Sequence, residues 1–459
     1  MRGNVRIWST ASAFLWSACL FAGCANSTGT EPATTTDTAS NTGTTTSTTS
    51  SAGGSNDSTA SSSSVGTMTN VSTQTETGQQ TATGASSSAA SSAASSTAAA
   101  AWNNPTPATA TAKFPFPQNR KGTFCTYPSS AVPVATLNAR VSEAFTQWKQ
   151  YLVSSTGAPS GTMRVVDPQG PPASRTTSEG IGYGMLITVY MNDKTTFDSI
   201  WGYAKAHFDG HQLMNWEIDS GGGTLGSGSA TDADEDMAWA LLMADKQWGG
   251  YSSPAQALIG AMSSSGEVSS SNFPNIGDNS PNAQNYYPDY FSPAYYSAFG
   301  FTGLISVGYS RFNQLKNATT NLLPDEVNGL QQFAYDACRI PWRIGMDFCF
   351  TGSSSAQAFL GPMATYFVGQ GVAGMVLPML LTGGPATGSS PTAAISGPAG
   401  VAAMVSAANQ SFIDAAFNKA YQNSLALQSG TLNYFGASLG LIAMLVESGN
   451  FFDYSNPPQ

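Results

Sequence analysis

The 459-residue sequence contains few of the side chains on which several classes of active site depend. His207 and His211 are the only histidines, so a zinc site or a Ser-His-Asp triad lacks candidates. Charged residues make up 10% of the chain, with 27 acidic and 17 basic residues and no basic run. Surfaces that bind nucleic acid concentrate Lys and Arg. We therefore expect no metal, no cofactor and no nucleic-acid partner.

Cysteine is also scarce, with five residues in the chain. Cys125, Cys338 and Cys349 belong to the C-terminal part, and an odd number allows at most one disulfide among them. If Cys338 and Cys349 share one helix, they stand about 16 Å apart, which is too far for a bridge. Any disulfide is therefore expected to join Cys125 to one of the other two.

A long apolar run occurs at the start of the chain. Residues 1–23 combine Arg2 and Arg6 with an apolar stretch, which is typical of an export signal. The signal ends in Leu-Phe-Ala-Gly directly before Cys24, and this resembles a bacterial lipoprotein signal in which that cysteine is lipidated. The alternative is an ordinary cleaved signal. We expect a lipoprotein of the outer membrane or cell surface, or otherwise a secreted protein.

Residues 24–112 are almost entirely Ser, Thr, Ala and Gly. Such a segment has little apolar surface to offset the entropy of ordering, so it is predicted to be a disordered linker. The folded domain is then 113–459. Its later apolar runs, such as 372–381, are too short or too interrupted to span a bilayer.

Apolar residues recur at helical spacing along the folded domain, and strand-like alternation is scarce. This pattern predicts an all-α domain, a toroid of helical hairpins, which we expect to be monomeric. The predicted helices are 135–153, 180–191, 196–207, 232–248, 254–262, 293–309, 325–333, 336–348, 355–368, 371–381, 401–407, 414–422 and 437–447.

The few acids are concentrated in one place, where Asp232, Asp234, Glu235 and Asp236 fall within residues 232–236 ahead of an apolar run. Acids suit the first turn of a helix, where they meet the positive end of the dipole. Because buried carboxylates cost free energy unless they are satisfied, packing alone does not explain the cluster. The simpler alternative is a well-capped helix start.

Two other segments contain acids in informative settings. Glu179 lies among glycines and an apolar run, where desolvation raises a carboxyl pKa toward that of a proton donor; the alternative is a capping residue. Asp336 and Arg339 stand one helical turn apart, so the guanidinium can hold the carboxylate ionised and oriented. Asp347 follows Arg343 by four residues and suggests a structural ion pair.

These segments together resemble glycoside hydrolase family 8. The matching motifs are Ser-Glu-Gly-x-Gly-Tyr-Gly-Met at 178–185, Ala-Thr-Asp-Ala-Asp-x-Asp-Met-Ala at 230–238, Tyr-Asp-Ala-x-Arg-x-Pro-Trp-Arg at 335–343, and the aromatic runs 290–296 and 434–436. The likeness spans 113–459 in the family's order. It implies an (α/α)6 barrel that hydrolyses β-1,4-linked glycans with inversion.

The resemblance also implies roles for individual residues. Glu179 corresponds to the general acid, Asp336 to the base that activates water, and Asp232 to a residue that grips the distorted sugar. Further substrate-binding candidates are Arg339, Trp216, Tyr335, Tyr183 and Tyr290. Asp234 is expected to be structural, and Glu235 and Asp236 are expected to be solvated helix positions.

One segment departs from the family pattern. Where members usually have Asn-Pro-Ser-Tyr, this chain has Tyr287-Pro288-Asp289-Tyr290, which affects local subsite contacts. An aspartate at 336 favours the glucanase or xylanase branch over the chitosanase branch. We expect an endo-β-1,4-glucanase whose partners are the polysaccharide and, through the lipid, a membrane. The alternatives are a xylanase and a non-catalytic surface glycan-binding protein, which would have lost its acid or base.

If Cys24 is lipidated, cells that express the full chain with a labelled fatty acid will yield a labelled protein. The Cys24→Ala variant is expected to carry no label and to leave the membrane fraction, since the cysteine is the only acceptor in the signal motif. Equal labelling of both forms, or no labelling of the original chain, would contradict the anchor.

Overall fold

The structure, a computed structural model, describes residues 111–269, 272–280 and 286–458. The predicted signal, Cys24 and the linker as far as residue 110 lie outside these ranges. Within them the chain forms twelve α-helices: α1 Val134–Leu152, α2 Ser178–Tyr190, α3 Lys194–Ala206, α4 Thr231–Trp248, α5 Ser252–Ser265, α6 Pro293–Phe299, α7 Thr302–Leu315, α8 Ile340–Thr351, α9 Ser354–Gln370, α10 Ala393–Ala403, α11 Gln410–Leu425 and α12 Tyr434–Glu447.

Eight short strands lie between the helices in the described ranges: β1 Val153–Ser154, β2 Arg164–Val165, β3 Thr176–Thr177, β4 Glu217–Ile218, β5 Thr224–Gly226, β6 Gln332–Phe333, β7 Val376–Leu380 and β8 Pro385–Pro391. They form three small antiparallel sheets, ordered β1-β2, β3-β4-β5 and β6-β7-β8. The small sheets lie in the connections between helices, and the helices form the core of the domain.

The helices alternate in how deeply they are buried. The even-numbered helices α2, α4, α8, α10 and α12 are buried along almost their whole length, and the short α6 is mostly buried. The odd-numbered helices bury mainly one face, as expected of an outer layer. Inner and outer helices in alternation are the arrangement of an (α/α)6 barrel, so the predicted fold is confirmed. Because successive helices of a hairpin run in opposite directions, all inner helices begin at the same end.

The glycines of α2 let it approach α4 closely. A Cβ on Gly182 would lie 3.0 Å from the Cβ of Asp236 and 3.2 Å from the carbonyl oxygen of Ala233. A Cβ on Gly184 would lie 2.8 Å from Val165 on the other side of the helix. Protein interiors are too tightly packed to absorb such overlaps without a shift. The glycine run therefore brings the first turns of α2 and α4 side by side.

Two predicted helices, 325–333 and 371–381, are wrong. Residues 376–380 are instead the strand β7, which pairs with β6 and β8. In the other segment the Asp325 carboxylate accepts hydrogen bonds from the backbone of Ala334 and Ala337 at 3.1 and 2.6 Å, which fixes a loop. Short apolar runs do not distinguish strand from helix by periodicity alone.

Two further predictions had incorrect boundaries. The predicted helix 293–309 is divided at Gly300, whose φ of 84° lies in the left-handed region and ends α6. The segment 401–407 overlaps only the last turn of α10, which begins at Ala393. No helix in the described ranges is both long enough and apolar enough to cross a membrane.

Cys125 and Cys349 form a disulfide with a Cα–Cα distance of 5.1 Å. The pairing agrees with the expectation that Cys125 bridges to one of the two later cysteines. It ties the segment before α1 to the last turn of α8, and Cys338 is buried as a free thiol.

Candidate active site

Functional side chains gather at the end of the barrel where the inner helices begin. Glu179 lies in the first turn of α2, Asp232 in the first turn of α4, and Tyr434 is the first residue of α12. Asp336 and Arg339 lie on the 3₁₀ turn that leads into α8. Helix N-termini carry a partial positive charge, so this end of the barrel favours carboxylates.

One guanidinium connects the acids. Arg339 Nη1 contacts Glu179 Oε2 and lies 2.5 Å from Asp232 Oδ2. Its Nη2 lies 2.7 Å from Asp336 Oδ1, and its Nε lies 2.6 Å from Asp289 Oδ2. The expected contact between Arg339 and Asp336 is present. Three further carboxylates share the same cation.

The carboxyl groups around Arg339 differ in their access to solvent. The side chains of Asp289 and Asp232 are 0% and 2% exposed, whereas those of Glu179 and Asp336 are 18% and 34% exposed. A reacting bond must be reached through solvent-accessible space. Glu179 and Asp336 are therefore the two carboxyls of this group that are most open to a substrate.

The surroundings of Glu179 favour the protonated acid near neutral pH. Burial raises the pKa of Glu179 to about 7, although Arg339 opposes the shift by stabilising the anion. The Tyr434 hydroxyl donates a hydrogen bond to Glu179 Oε1 at 2.6 Å, which also stabilises the anion. The carboxyl can thus hold a proton at pH 7 and remain well supported after losing it.

Asp336 is held by two neighbours. Burial raises its pKa, and Arg339 again opposes the shift by favouring the ionised form. A side-chain hydrogen bond from Asp325 also favours the Asp336 anion, and burial raises the pKa of Asp325 well above its usual range. Arg339 and Asp325 therefore both favour the ionised form of Asp336 against the effect of burial.

Aromatic side chains surround the acids. Arg339 Cζ lies 5.8 Å from the centre of the Tyr290 ring and 5.9 Å from that of Phe435. Tyr335 is half-buried, with its ring 6.5 Å from Phe435. Tyr183 is fully buried, so it supports the site from below and does not form its surface.

Trp216 is half-buried and belongs to the loop that leads into β4. Its carbonyl accepts a hydrogen bond from the Ser178 backbone at 2.9 Å, which links the loop to the start of α2. A Cβ on Gly226 would lie 2.2 Å from the indole, so β5 packs directly against the ring. The tryptophan is thereby held beside the helix that carries Glu179.

The prediction that Glu235 and Asp236 are solvated is wrong, because both are buried inside the barrel wall. Arg343 donates to both oxygens of Asp236 at 2.7 and 2.9 Å. The Tyr296 hydroxyl donates to Glu235 Oε1 at 2.8 Å, and burial raises the pKa of Glu235 to about 8. The sequence pattern was misleading because α4 is an inner helix with no solvated face.

The predicted pair of Arg343 and Asp347 is also wrong. Asp347 instead accepts a hydrogen bond from the Tyr309 hydroxyl at 2.5 Å, on the side of α8 that faces α7. Arg343 is 0% exposed and turns toward α4, where Asp236 compensates its charge.

Three residues outside the acidic centre could supply metal ligands. Ligand atoms of Asp209, His211 and Asp278 lie within 4.8 Å of one another. His211 Nδ1 is 2.6 Å from Asp278 Oδ2, and this contact raises the pKa of His211. An ion pair between the imidazolium and the carboxylates accounts for the grouping, so we assign no metal to it.

Sequence reasoning did not identify three residues of the site. Tyr434 belongs to a family motif to which the sequence assigns no role, Asp289 is a departure from the family pattern, and the apolar periodicity places Asp325 in a helix. Their partners are distant in sequence: Tyr434 binds Glu179 across 255 residues. Only the tertiary structure reveals such pairings.

Comparisons with known proteins agree with this geometry. Residues 114–449 match the family described as Glycosyl hydrolases family 8. The chain is 30% identical over 380 residues to Endoglucanase 2 of Ruminiclostridium josui, covering 77% of this chain and 81% of that protein.

Solved structures give a similar result. The apo structure of a beta-1,3-1,4-glucanase from Paenibacillus sp. X4 is similar with a TM-score of 0.66 and 29% identity, covering 74% of this chain and 98% of that one. Rex8A from Paenibacillus barcinonensis, complexed with xylose, shares the fold with a TM-score of 0.59 at 19% identity, covering 72% and 98%.

Replacing Arg343 by Met is expected to lower the free energy of unfolding by about 3–5 kcal/mol, because Asp236 then remains buried without its cation. Denaturant unfolding at pH 7 measures the change. The double variant Arg343→Met with Asp236→Leu should recover a large part of the loss, since no unpaired charge is left. A single variant as stable as the original chain would contradict a buried pair.

Proposed function

The chain belongs to glycosyl hydrolase family 8, and on this premise we propose that it is an inverting, endo-acting hydrolase of β-1,4-linked polysaccharide, an endo-β-1,4-glucanase. The observation that carries the proposal is the pair Glu179 and Asp336. These are the accessible carboxyls on one guanidinium, and they have different neighbours. Two carboxyl groups in different environments are what glycoside hydrolysis requires.

Glu179 acts as the general acid in this proposal. With its pKa near 7, the carboxyl carries a proton over the acidic to neutral range and donates it to the glycosidic oxygen as the bond breaks. Arg339 and Tyr434 then stabilise the carboxylate that remains. The leaving sugar departs as a neutral alcohol.

Asp336 acts as the general base. Arg339 and Asp325 favour its ionised form, so it can accept a proton from a water molecule that attacks the anomeric carbon. An inverting mechanism requires the acid and base about 6.5–9.5 Å apart, so that this water fits between base and sugar. Glu179 and Asp336 contact different nitrogens of the guanidinium, which supports their separation.

Asp232 and the aromatic residues bind the sugar. Asp232 contacts the same Arg339 nitrogen as Glu179, so its carboxylate lies next to the acid, where it can grip the ring at the scissile bond. The half-buried Trp216 and Tyr335 offer apolar ring faces of the kind that stack on sugars, whereas Tyr290 is buried beside Arg339.

The choice of glucan over xylan rests on the relatives. Endoglucanase 2 and the beta-1,3-1,4-glucanase are about 30% identical over most of the chain. A reducing-end xylose-releasing exo-oligoxylanase is 37% identical over only 82 residues. A xylanase is therefore the second candidate. A non-catalytic glycan-binding protein is less consistent with a complete acid and base. Display of a monomer on a membrane through lipidated Cys24 is a further proposal, supported by the sequence pattern alone.

Incubation of the protein with carboxymethylcellulose, xylan and chitosan tests the function by release of reducing ends. We expect the highest rate on the glucan. Glu179→Gln and Asp336→Asn should each lower kcat by about 10²–10⁴-fold, because each removes one proton transfer. Because Glu179 must be protonated, the rate should fall as the pH rises through about 7.

Asp347→Asn is the matched control, since Asp347 is a buried carboxyl outside the site. It should leave the rate within a few fold. Absence of activity on all three polymers would refute the hydrolase, and full activity in the Glu179 and Asp336 variants would refute the assigned roles.

A further inference from the structure

Thr177 stands at the junction of β3 and α2, two residues before Glu179. Its backbone pairs with Glu217 of β4. Its Oγ1 accepts a hydrogen bond from the Gly180 backbone at 3.1 Å, so the side chain is the N-cap of α2. Strand and helix together fix this buried hydroxyl beside the first turn that carries the acid.

The same hydroxyl makes a second hydrogen bond, to a tyrosine of the site. Thr177 Oγ1 lies 3.1 Å from the Tyr434 hydroxyl, which in turn lies 2.6 Å from Glu179 Oε1. A tyrosine hydroxyl has one proton, and an ionised carboxylate can only accept. When Glu179 is ionised, Tyr434 therefore donates to it and Thr177 donates to Tyr434. The hydrogen bonds run in one direction, from Thr177 through Tyr434 to Glu179.

We propose that Thr177 is a positioning residue for the general acid: its hydroxyl donates to Tyr434, aims the tyrosine proton at Glu179, and so helps to stabilise the carboxylate that remains after proton transfer. This role rests on the proposed function. Thr177 acts through Tyr434, because its own hydroxyl is occupied by Gly180 on one side and by Tyr434 on the other.

The packing at Gly180 keeps the three groups together. A Cβ on this residue would lie 3.3 Å from Cε2 of the Tyr434 ring and 3.4 Å from Thr177 Oγ1. The ring of Tyr434, the first residue of α12, thus lies close against the first turn of α2. A phenol hydroxyl can rotate about its C–O bond, and the hydrogen bond from Thr177 selects the rotation in which its proton points to Glu179.

Several charged and titratable groups face the acid and its tyrosine. Around Glu179 they come from α4, the turn before α8, α12 and its own helix: Asp232, Asp336, Arg339, Tyr434 and Tyr183. Tyr434 also faces Asp167 and Arg175, which are paired with each other.

Against this background the hydrogen bonds of the chain act in the same sense. Burial and the charge of Glu179 raise the pKa of Tyr434, whereas the bond from Thr177 opposes the rise, which makes the tyrosine a better donor. Burial raises the pKa of Glu179, and the bond from Tyr434 opposes that rise by favouring the anion. Bonds to a charged acceptor are strong, and linked hydrogen bonds reinforce one another.

The test compares Thr177→Val with Thr177→Ser on the polysaccharide that the original chain cleaves best. Val has nearly the same shape but no hydroxyl, so kcat should fall by about 3–10-fold with little change in KM, because the acid is weaker and less well aimed. Ser keeps the hydroxyl, and its kcat should stay within about 2-fold of the original.

The pH profile separates positioning from helix capping. Glu179 must be protonated to act, so the basic limb of kcat reports its pKa. Without the Thr177 hydroxyl the ionised carboxylate is less stabilised, its pKa rises, and the limb should move to higher pH by about 0.5 unit. Tyr434→Phe, which removes the direct bond, should move it further in the same direction, by about 1 unit.

Thr392→Val is the matched control, since Thr392 caps α10 through the Ala394 backbone in the same way. It should lower thermal stability as Thr177→Val does, yet leave the basic limb in place. The double variant of Thr177→Val and Tyr434→Phe should show no further shift beyond Tyr434→Phe alone, because the threonine acts through the tyrosine.

An unmoved basic limb in Thr177→Val would overturn the proposal, and so would additive shifts in the double variant. If Thr177→Val does not fold, Tyr434→Phe and Thr177→Ser still decide: an unmoved limb in the first, or a moved limb in the second, contradicts the role. An original chain that is folded but inactive on every polymer would refute the proposed function, and the positioning role with it.

Discussion

The buried charge of Arg339 is the constraint on which the rest of the site depends. A cation that is 2% exposed is stable only if anions compensate it, and buried carboxylates in turn need a cation. Burial opposes the charge on Arg339, but the surrounding carboxylates outweigh this effect and raise its pKa well above the usual range. The arginine therefore stays charged while the protonation of its partners can vary. Acid–base catalysis requires this, because its acid and base must lose and gain protons during the reaction.

The barrel is arranged so that these partners meet. Asp232 and Asp236 are one helical turn apart on α4, and Arg339 and Arg343 are one turn apart at the start of α8. The two resulting ion pairs, Asp232 with Arg339 and Asp236 with Arg343, lie one helical turn apart between the same helices. The pair of Asp236 and Arg343 is buried and structural, whereas the pair of Asp232 and Arg339 adjoins Glu179 and Asp336. Close packing of α2 on α4 at Gly182 brings Glu179 next to the ion pair of Asp232 and Arg339.

The sequence predicted what depends on local pattern and family motif. Most helices follow from apolar periodicity, and Glu179, Asp336 and Arg339 follow from motifs that keep their spacing. It did not predict which charges meet across the barrel, because Arg339 binds Glu179 over 160 residues and no local rule orders such pairs. Burial of Glu235 and Asp236 was missed for the same reason: an inner helix buries even its polar positions when a partner such as Arg343 is supplied from elsewhere. The strand β7 was missed because a short apolar run fits either secondary structure.

The central claim is that Glu179 donates a proton while Asp336 directs water to the opposite face of the sugar in a single displacement. Proton NMR of the anomeric signals during cleavage of a soluble β-glucan oligosaccharide tests this most directly. The account predicts that the new reducing end appears first as the α-anomer and only later equilibrates. First appearance of the β-anomer would show retention and would contradict the assignment of Asp336 as the base.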